Sequence, residues 1–440
     1  MATKKPKKPR KMKTKAQPKD GEVLALSWKL GELPSSQHRT GLAGLVLMVR
    51  WLERHRKLGG LCRLKNLDAS GVTLEVNERG LQDLFNETYG AELVERSELK
   101  VREGKPPKRV EEREVETKKV DRKTGEPVVK TVTYYVYDVV EPKGAFLAEL
   151  DNPKSGKSGL WIKLWRDFIW SLVRAVPKTR GPYISRAEGG SHQDAQKAWA
   201  GLAEKPEASV KLPSTYFIGA QTATAENVPF RDRERFQFLL HFWPFAIGLA
   251  VPCTIDREGA SKFEGYVLSF SDVADLATFC DEFEGLLRNR KPTKAGYRPK
   301  DALVDLPAEG ALQLLSFLEA RLKEHESRKR VSDLVHGVDV FHVEREGNNV
   351  RVRSSMRIEP SVVVQSEYER IRSSFHDPIF RRQRLLNLLA GVPWYSGFDR
   401  LMATLPSAHF IAGRAQPGEY GTRFPHDART QFKHVAPEAG

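Results

Sequence analysis

The sequence predicts a mixed α+β protein of several domains: an α/β amino-terminal body, a protruding β-hairpin and a helical carboxy-terminal part. Three observations carry the prediction. Apolar residues recur at three and four residue steps near 36–52, 161–176, 308–326 and 366–405, the spacing of one helix face. Alternating runs near 23–28, 99–141, 265–270 and 338–358 have the period of strands. At 440 residues the chain also has room for two or three domains at roughly 100–200 residues each. The expected divisions are a disordered basic arm at 1–20, a body at 21–300 with a hairpin insertion at about 99–141, and a mainly helical part at 301–440.

In chain order, residues 1–20 are rich in Lys and Pro and poor in apolar side chains, which leaves them nothing to bury. Val23 to Trp28 alternates as a strand. Pro34-Ser35 then opens a helix with Ser35 or Ser36 as N-cap and a stripe of Leu42, Leu45, Val46, Val49 and Leu52. Gly41 and Gly44 leave space for a close neighbour, and Gly59-Gly60 supplies a stop. Strands are expected at Leu61–Leu67 and Gly71–Val76, and a helix at Glu78–Tyr89. Residues 99–141 form a long, charged hairpin around the turn signal at Asp121–Gly125.

Further on, Gln193–Leu202 reads as a helix and Ser209–Ile218 as a strand. The apolar run Phe236–Val251 reads as one or two buried strands, and Gly265–Phe270 as another. Asp272–Leu287 reads as a helix with Ser271 as its cap. Residues 288–300 are basic and Pro-rich, as in a linker or exposed loop. Ala308–Glu326 is an amphipathic helix. Val338–Arg345 and Val350–Ile358 make a hairpin, with Arg351, Arg353 and Arg357 on one face. Ser366–Leu405 is helical and rich in arginine; the tail after Pro406 has little periodicity.

Lys and Arg total 72 against 57 Asp and Glu, a net charge of +15. Nine cations and no acid lie in the first nineteen residues; without those nine the remainder carries +6. Such a balance favours a polyanionic partner, nucleic acid above all, without choosing DNA or RNA. Three distant cysteines, Cys62, Cys253 and Cys280, suggest neither a disulfide framework nor a zinc knuckle, so a cytoplasmic setting is expected. No apolar run reaches the length of about 18 residues that would suggest a membrane helix, and the basic start lacks the apolar region of a secretory signal.

The stretch from Lys154 to Tyr183 carries the site prediction. Trp161, Leu164, Trp165, Phe168, Ile169, Leu172, Val173 and Val176 fall on one side of a single helix. Lys163, Arg166, Trp170 and Arg174 fall on the other. Lys157 leads in; Lys178 and Arg180 lead out. Pro177 ends the run and Gly181-Pro182 turns the chain. Cations neutralise phosphates and an exposed indole stacks on a base, so Lys157, Lys163, Arg166, Arg174, Lys178 and Arg180 are the expected phosphate contacts and Trp170 the stacking residue. The competing reading is a core helix whose outer side is merely solvated.

Other motifs are weaker. Ser155-Gly156-Lys157-Ser158 imitates the end of a phosphate-binding loop, but the full pattern needs Gly where Asp151 stands. His376-Asp377 and His426-Asp427 resemble pieces of a metal-dependent nuclease, yet such a site needs more converging ligands; caps and turns explain them better. His38-Arg39 could serve RNA cleavage as a base and a charge stabiliser, although no acid partner is evident. No catalytic residue, metal site or cofactor is expected.

Several segments bear a resemblance. LPSSQHRTGLAGLVLMVRWL at 33–52, WIKLWRDFIWSLVRAVP at 161–177, LLNLLAGVPWYSGFDRLMATLP at 385–406 and FPHDARTQF at 424–432 are similar to the large subunit of type I CRISPR effector (Cascade) complexes, in the myxan subtype. The resemblance implies a non-catalytic subunit acting in antiviral defence. Such subunits bind the guide RNA and the double-stranded target DNA, inspect the motif beside the target and help recruit a helicase–nuclease, alongside other effector-complex subunits. It also implies a helical bundle at the carboxy terminus. Two rival readings are a metal-independent endoribonuclease that processes guide RNA through His38, and an interaction module whose basic face meets an acidic protein.

Overall fold

The computed structural model describes residues 21–440 apart from 121–126, 152–158, 175–176, 193, 214–215, 220–227, 257–259, 292, 297, 348, 412–422 and 436–440. The expected basic arm at 1–20 and the turn signal in the hairpin lie outside them. Val23–Lys29 pairs antiparallel with Gly71–Asn77, which pairs in turn with Cys62–Lys65. Between the first and second of these in sequence runs the helix Ser36–Arg54. It buries far more than one stripe: Leu42 through Val49 are inaccessible around the whole circumference. No charged residue interrupts Thr40–Val49, and a helix apolar on every side is stable only inside a core.

Its two glycines act as expected. A Cβ on Gly44 would stand 2.1 Å from the carbonyl oxygen of Phe242, and one on Gly41 would stand 2.5 Å from that of Leu239. The helix therefore meets the 239–242 segment backbone to backbone. It ends at Arg54, and Arg56 takes the left-handed conformation (φ 51°) before Gly59 is reached.

The largest sheet has the order Ser261–Phe263, Gly248–Ile255, Tyr266–Val273, Val335–Glu346, Asn349–Ile358, with Leu303–Val304 parallel to Gly248–Ile255. The last two strands, although they lie beyond residue 300, are hydrogen-bonded members of this same sheet. Val267 and Ser269 face the helix Glu309–Glu324, where a Cβ on Gly310 would lie 2.6 Å from Ser269 Oγ. The alternate residue, Phe270, packs edge-on against Trp243 and Phe341.

Some elements differ from expectation. Phe236–Val251 begins not as strand but as the helix Glu234–Leu239 and a tight turn at Trp243–Phe245; only Gly248–Ile255 is extended. A continuous apolar run has no period to separate the two forms. The expected Ser209–Ile218 strand shrinks to Ser209–Lys211, paired with Arg231–Arg233. Ser271 stays in the sheet opposite Val338, and Asp275 caps Leu276–Arg288 instead, accepting from Thr278 N at 3.0 Å. The charged hairpin forms from Arg109–Val120 and Pro127–Pro142, with Ala91–Glu98 as an unforeseen third strand on the far edge.

A second, smaller core lies in the carboxy-terminal helices Val362–Ser374, Pro378–Ala390, Phe398–Thr404 and Phe424–Val435. Tyr368, Ile371, Phe375, Phe380, Leu385 and Phe424 converge there with Leu306 and Leu312 from the body. None of the described helices is long and apolar enough to cross a membrane.

Candidate nucleic-acid interface

The Trp-rich stretch is not one helix. Leu160–Phe168 is α-helical, Ile169–Val173 is a π-turn, and a new helix, Pro177–Ala187, contains Gly181 and Pro182 rather than ending at them. The Arg174 N–H donates five residues back, to Ile169 O at 2.7 Å. A wider turn makes later residues lag behind the 100° wheel. This reason corrects the expectation for Arg174. It is almost wholly buried, its guanidinium 4.3 Å from the centre of the Tyr216 ring.

Arg166 is also turned to structural work. Its Nε donates to Pro142 O at 2.7 Å and its Nη1 lies 3.5 Å from Glu141, bracing the hairpin's base. Trp165 is inward, donating to Pro244 O at 2.9 Å. Lys163 is exposed. Trp170 is half-buried, not free: Arg180 lies 4.5 Å above its ring and Tyr183 meets it edge-on. Arg180 donates to Arg174 O and Trp170 O, both at 2.9 Å, and so closes the end of the π-turn. Lys157 lies outside the described residues, as does the phosphate-loop imitation, and the side chain of Lys178 does too. Of the seven expected contacts, the structure brings Trp170 and Arg180 together and turns Arg166 and Arg174 to internal contacts.

Behind the π-turn sits a polar pocket of rings. Tyr89, Tyr183, Tyr216, His192 and His241 surround one another. Burial, then the charges of Arg186 and Arg174, holds the His192 imidazole down to about 3. Burial, then Arg174 and His192, keeps His241 well below its usual range. His241 is therefore neutral, and its Nδ1 shares a 2.6 Å hydrogen bond with the Tyr89 hydroxyl.

Several other arginines carry their own counter-charges. Arg351 lies 3.4 Å from Glu346, Arg353 donates to Glu344 at 2.6 Å, and Arg357 reaches Asp272 at 2.6 Å and Asp339 at 3.3 Å. On the hairpin, Arg109 pairs with Glu95 at 2.6 Å and Lys108 with Glu95 and Asp138 at 3.0 Å. Arg345, which the spacing argument passed over, is different. Its cross-strand partner is Val350, and its Nε donates to Gly347 O at 2.7 Å. The legible signal was the strand register, which places an acid opposite Arg351 and Arg357 but not opposite Arg345.

The chemical motifs resolve into braces. His38 is buried, with Nδ1 2.7 Å from Ser35 Oγ and Nε2 2.7 Å from Asp232 Oδ2. Arg39 donates to Asp272 at 2.5 Å. Asp377 caps its helix, accepting from Ile379 N and Phe380 N at 3.0 Å. Asp427, fully buried, accepts from His376 N at 2.7 Å and Asp377 N at 2.6 Å, so the two His-Asp dipeptides meet as a staple. Among the described residues no three His, Cys, Asp or Glu side chains gather in a way that could hold a metal ion.

A buried ion cluster joins the body to the bundle. Arg381 binds Asp305 through two nitrogens, one at 2.8 Å. Arg372 lies 3.2 Å from Glu309, whose carboxylate also accepts from Asp305 N at 2.6 Å and Leu306 N at 2.9 Å.

These features define a multi-domain α+β protein whose helical bundle is bolted onto a sheet-based body. Comparison with protein families specifies the class. The Type I-B CRISPR Cas8b N-terminal domain matches residues 61–328, and the Type I-B CRISPR Cas8b C-terminal domain matches residues 335–439. The chain belongs to this family: it is a Cas8-type large subunit of a type I CRISPR effector complex, and other subunits of that complex are its partners. No curated protein matches it significantly. The seam between the two matches, 329–334, falls just before strand Val335–Glu346, and segment 33–52 precedes both matches.

Proposed function

We propose that this chain is a non-catalytic nucleic-acid-binding subunit. It binds the guide RNA and the double-stranded target DNA, contributes to recognition of the motif beside the target, and helps recruit a helicase–nuclease in antiviral defence in the cytoplasm. We read it as a myxan-subtype variant of its family, on the segments quoted above. The observation that carries the reading is the pairing of the two family matches with the internal engagement of its candidate catalytic groups. The rival endoribonuclease needs His38 at a surface, and His38 is buried with both ring nitrogens hydrogen-bonded. Contacts to phosphates then supply salt-sensitive affinity, while sequence readout of the target rests on base pairing with the guide, as in another CRISPR class. Lys163, Lys157, Lys178 and Arg180 stay on the list of proposed contacts.

The test incubates the purified chain with CRISPR-repeat RNA in the presence of a chelator. The expected result is a salt-sensitive complex containing intact RNA. Specific cleavage that disappears in a His38→Ala variant would overturn the reading in favour of the endoribonuclease.

A further inference from the structure

We infer that Arg180 and Arg345 form a two-pronged subsite for one phosphodiester of a bound nucleic-acid strand, with Trp170 as the residue that positions Arg180. The inference rests on the nucleic-acid reading above and adds a place to it. It also joins residues on either side of the seam between the two family matches.

The geometry is as follows. Phe341, Val343 and Arg345 alternate along the strand Val335–Glu346, so they share one face. Phe341 packs edge-on against Phe270 and Val343 is fully buried, so this face is covered by the body, as is the opposite face through Val338 and Val340. The strand packs against the Ile169–Val173 π-turn that carries Trp170. Arg345 lies near the end of this strand and is exposed, which puts it on the same side of the sheet as the π-turn. The two guanidiniums sense each other: after burial, the Arg345 charge is the second influence lowering the proton affinity of Arg180.

Two like charges that influence each other favour a counter-charge between them. Both guanidiniums are instead anchored through backbone carbonyls: Arg180 to Arg174 O and Trp170 O, Arg345 to Gly347 O. Among the described residues neither forms an ion pair, whereas the neighbouring Arg351, Arg353 and Arg357 all do. Carbonyl bonds on one side of a guanidinium hold its remaining N–H groups in place, and a phosphodiester with two free oxygens can accept from two such forks. Trp170 has one ring face under Arg180, so it acts as a platform for the cation rather than for a base.

The experiment measures anisotropy of a labelled single-stranded RNA, and separately of the same sequence as DNA, across a salt series. The proteins are the full chain, Arg345→Gln, Arg180→Gln with Arg345→Gln, and the paired-arginine control Arg353→Gln. Each lost contact should lower the magnitude of the slope of log K against log salt by about 0.7, so the double variant should lose about 1.4. The control should match the parent. Arg345→Gln guards against misfolding, because Arg180 keeps its capping bonds and the melting temperature should hold. If the parent binds and Arg345→Gln keeps the parent's slope, the subsite is wrong while the nucleic-acid reading stands. A slope lost equally in Arg353→Gln would mean general charge and overturn the subsite. If the parent binds neither strand, both fail. The arm with the steeper loss tells whether the strand is RNA or DNA.

Discussion

His192 shows what a single residue here can report. Its imidazole is buried among Phe85 and Tyr89 and held neutral, with its proton affinity at about 3. In the unfolded chain the same group titrates near 6.5. Between those values the unfolded state binds a proton that the native state does not. Stability from this group is therefore complete above about pH 6.5 and falls as pH drops, by up to about 1.4 kcal/mol per unit until about pH 3. His241 adds in the same direction. We predict a loss of denaturant midpoint between pH 7 and 5 that is shallower in His192→Asn. Asn keeps an acceptor where Nδ1 takes the Asp194 N–H at 3.0 Å. An unchanged slope in that variant would contradict the account. Little of this was legible in the sequence, where His192 follows an unremarkable Gly-Gly-Ser; burial arises only when residues 85, 89, 183, 216 and 241 converge. Gly41 and Gly44, by contrast, were legible, because a glycine pair inside an apolar helix has few uses other than a close neighbour.

At the scale of elements, periodicity located most helices and strands and failed in identifiable ways. Helix Ser36–Arg54, the Val335–Glu346 and Asn349–Ile358 hairpin and helix Glu309–Glu324 emerged close to their expected bounds. The π-turn at 169–173 did not, and one hydrogen-bond step too many was enough to carry Arg174 from an expected surface into the core. Pro182 is expected to break the helix, yet it lies inside Pro177–Ala187 as its sixth residue, where the helix forgoes one N–H to carbonyl bond. The joint between helix Pro378–Ala390 and the 305–309 segment was invisible, because its ions are about 75 residues apart. It yields a prediction. Removing one partner from a buried ion pair leaves a lone charge and costs about 3–5 kcal/mol. Arg381→Met should therefore lower stability by that order, and amide exchange should quicken in the four carboxy-terminal helices before it does in strand Tyr266–Val273. Equal quickening in both would show that bundle and body unfold as one unit and that the ion cluster is no joint.

At the scale of the whole molecule, an excess of +15 favours a polyanionic partner without saying where on the surface it would sit. Yet most arginines in the described body and hairpin meet a carboxylate, and exposed pairs of this sort contribute little to stability or to binding. What distinguishes a candidate surface is the arginine without such a neighbour, which only the assembled sheet and π-turn disclose. The central claim is that this subunit grips nucleic acid for its complex and leaves cutting to another protein. The most direct measurement assembles the effector complex with and without this chain, lacking any helicase–nuclease, and follows its binding to a guide-matched DNA duplex at physiological salt. The account predicts at least about tenfold tighter binding with the chain present, and a duplex that stays uncut. Equal affinity with and without the chain, or cleavage of the duplex when it is present, would contradict the account.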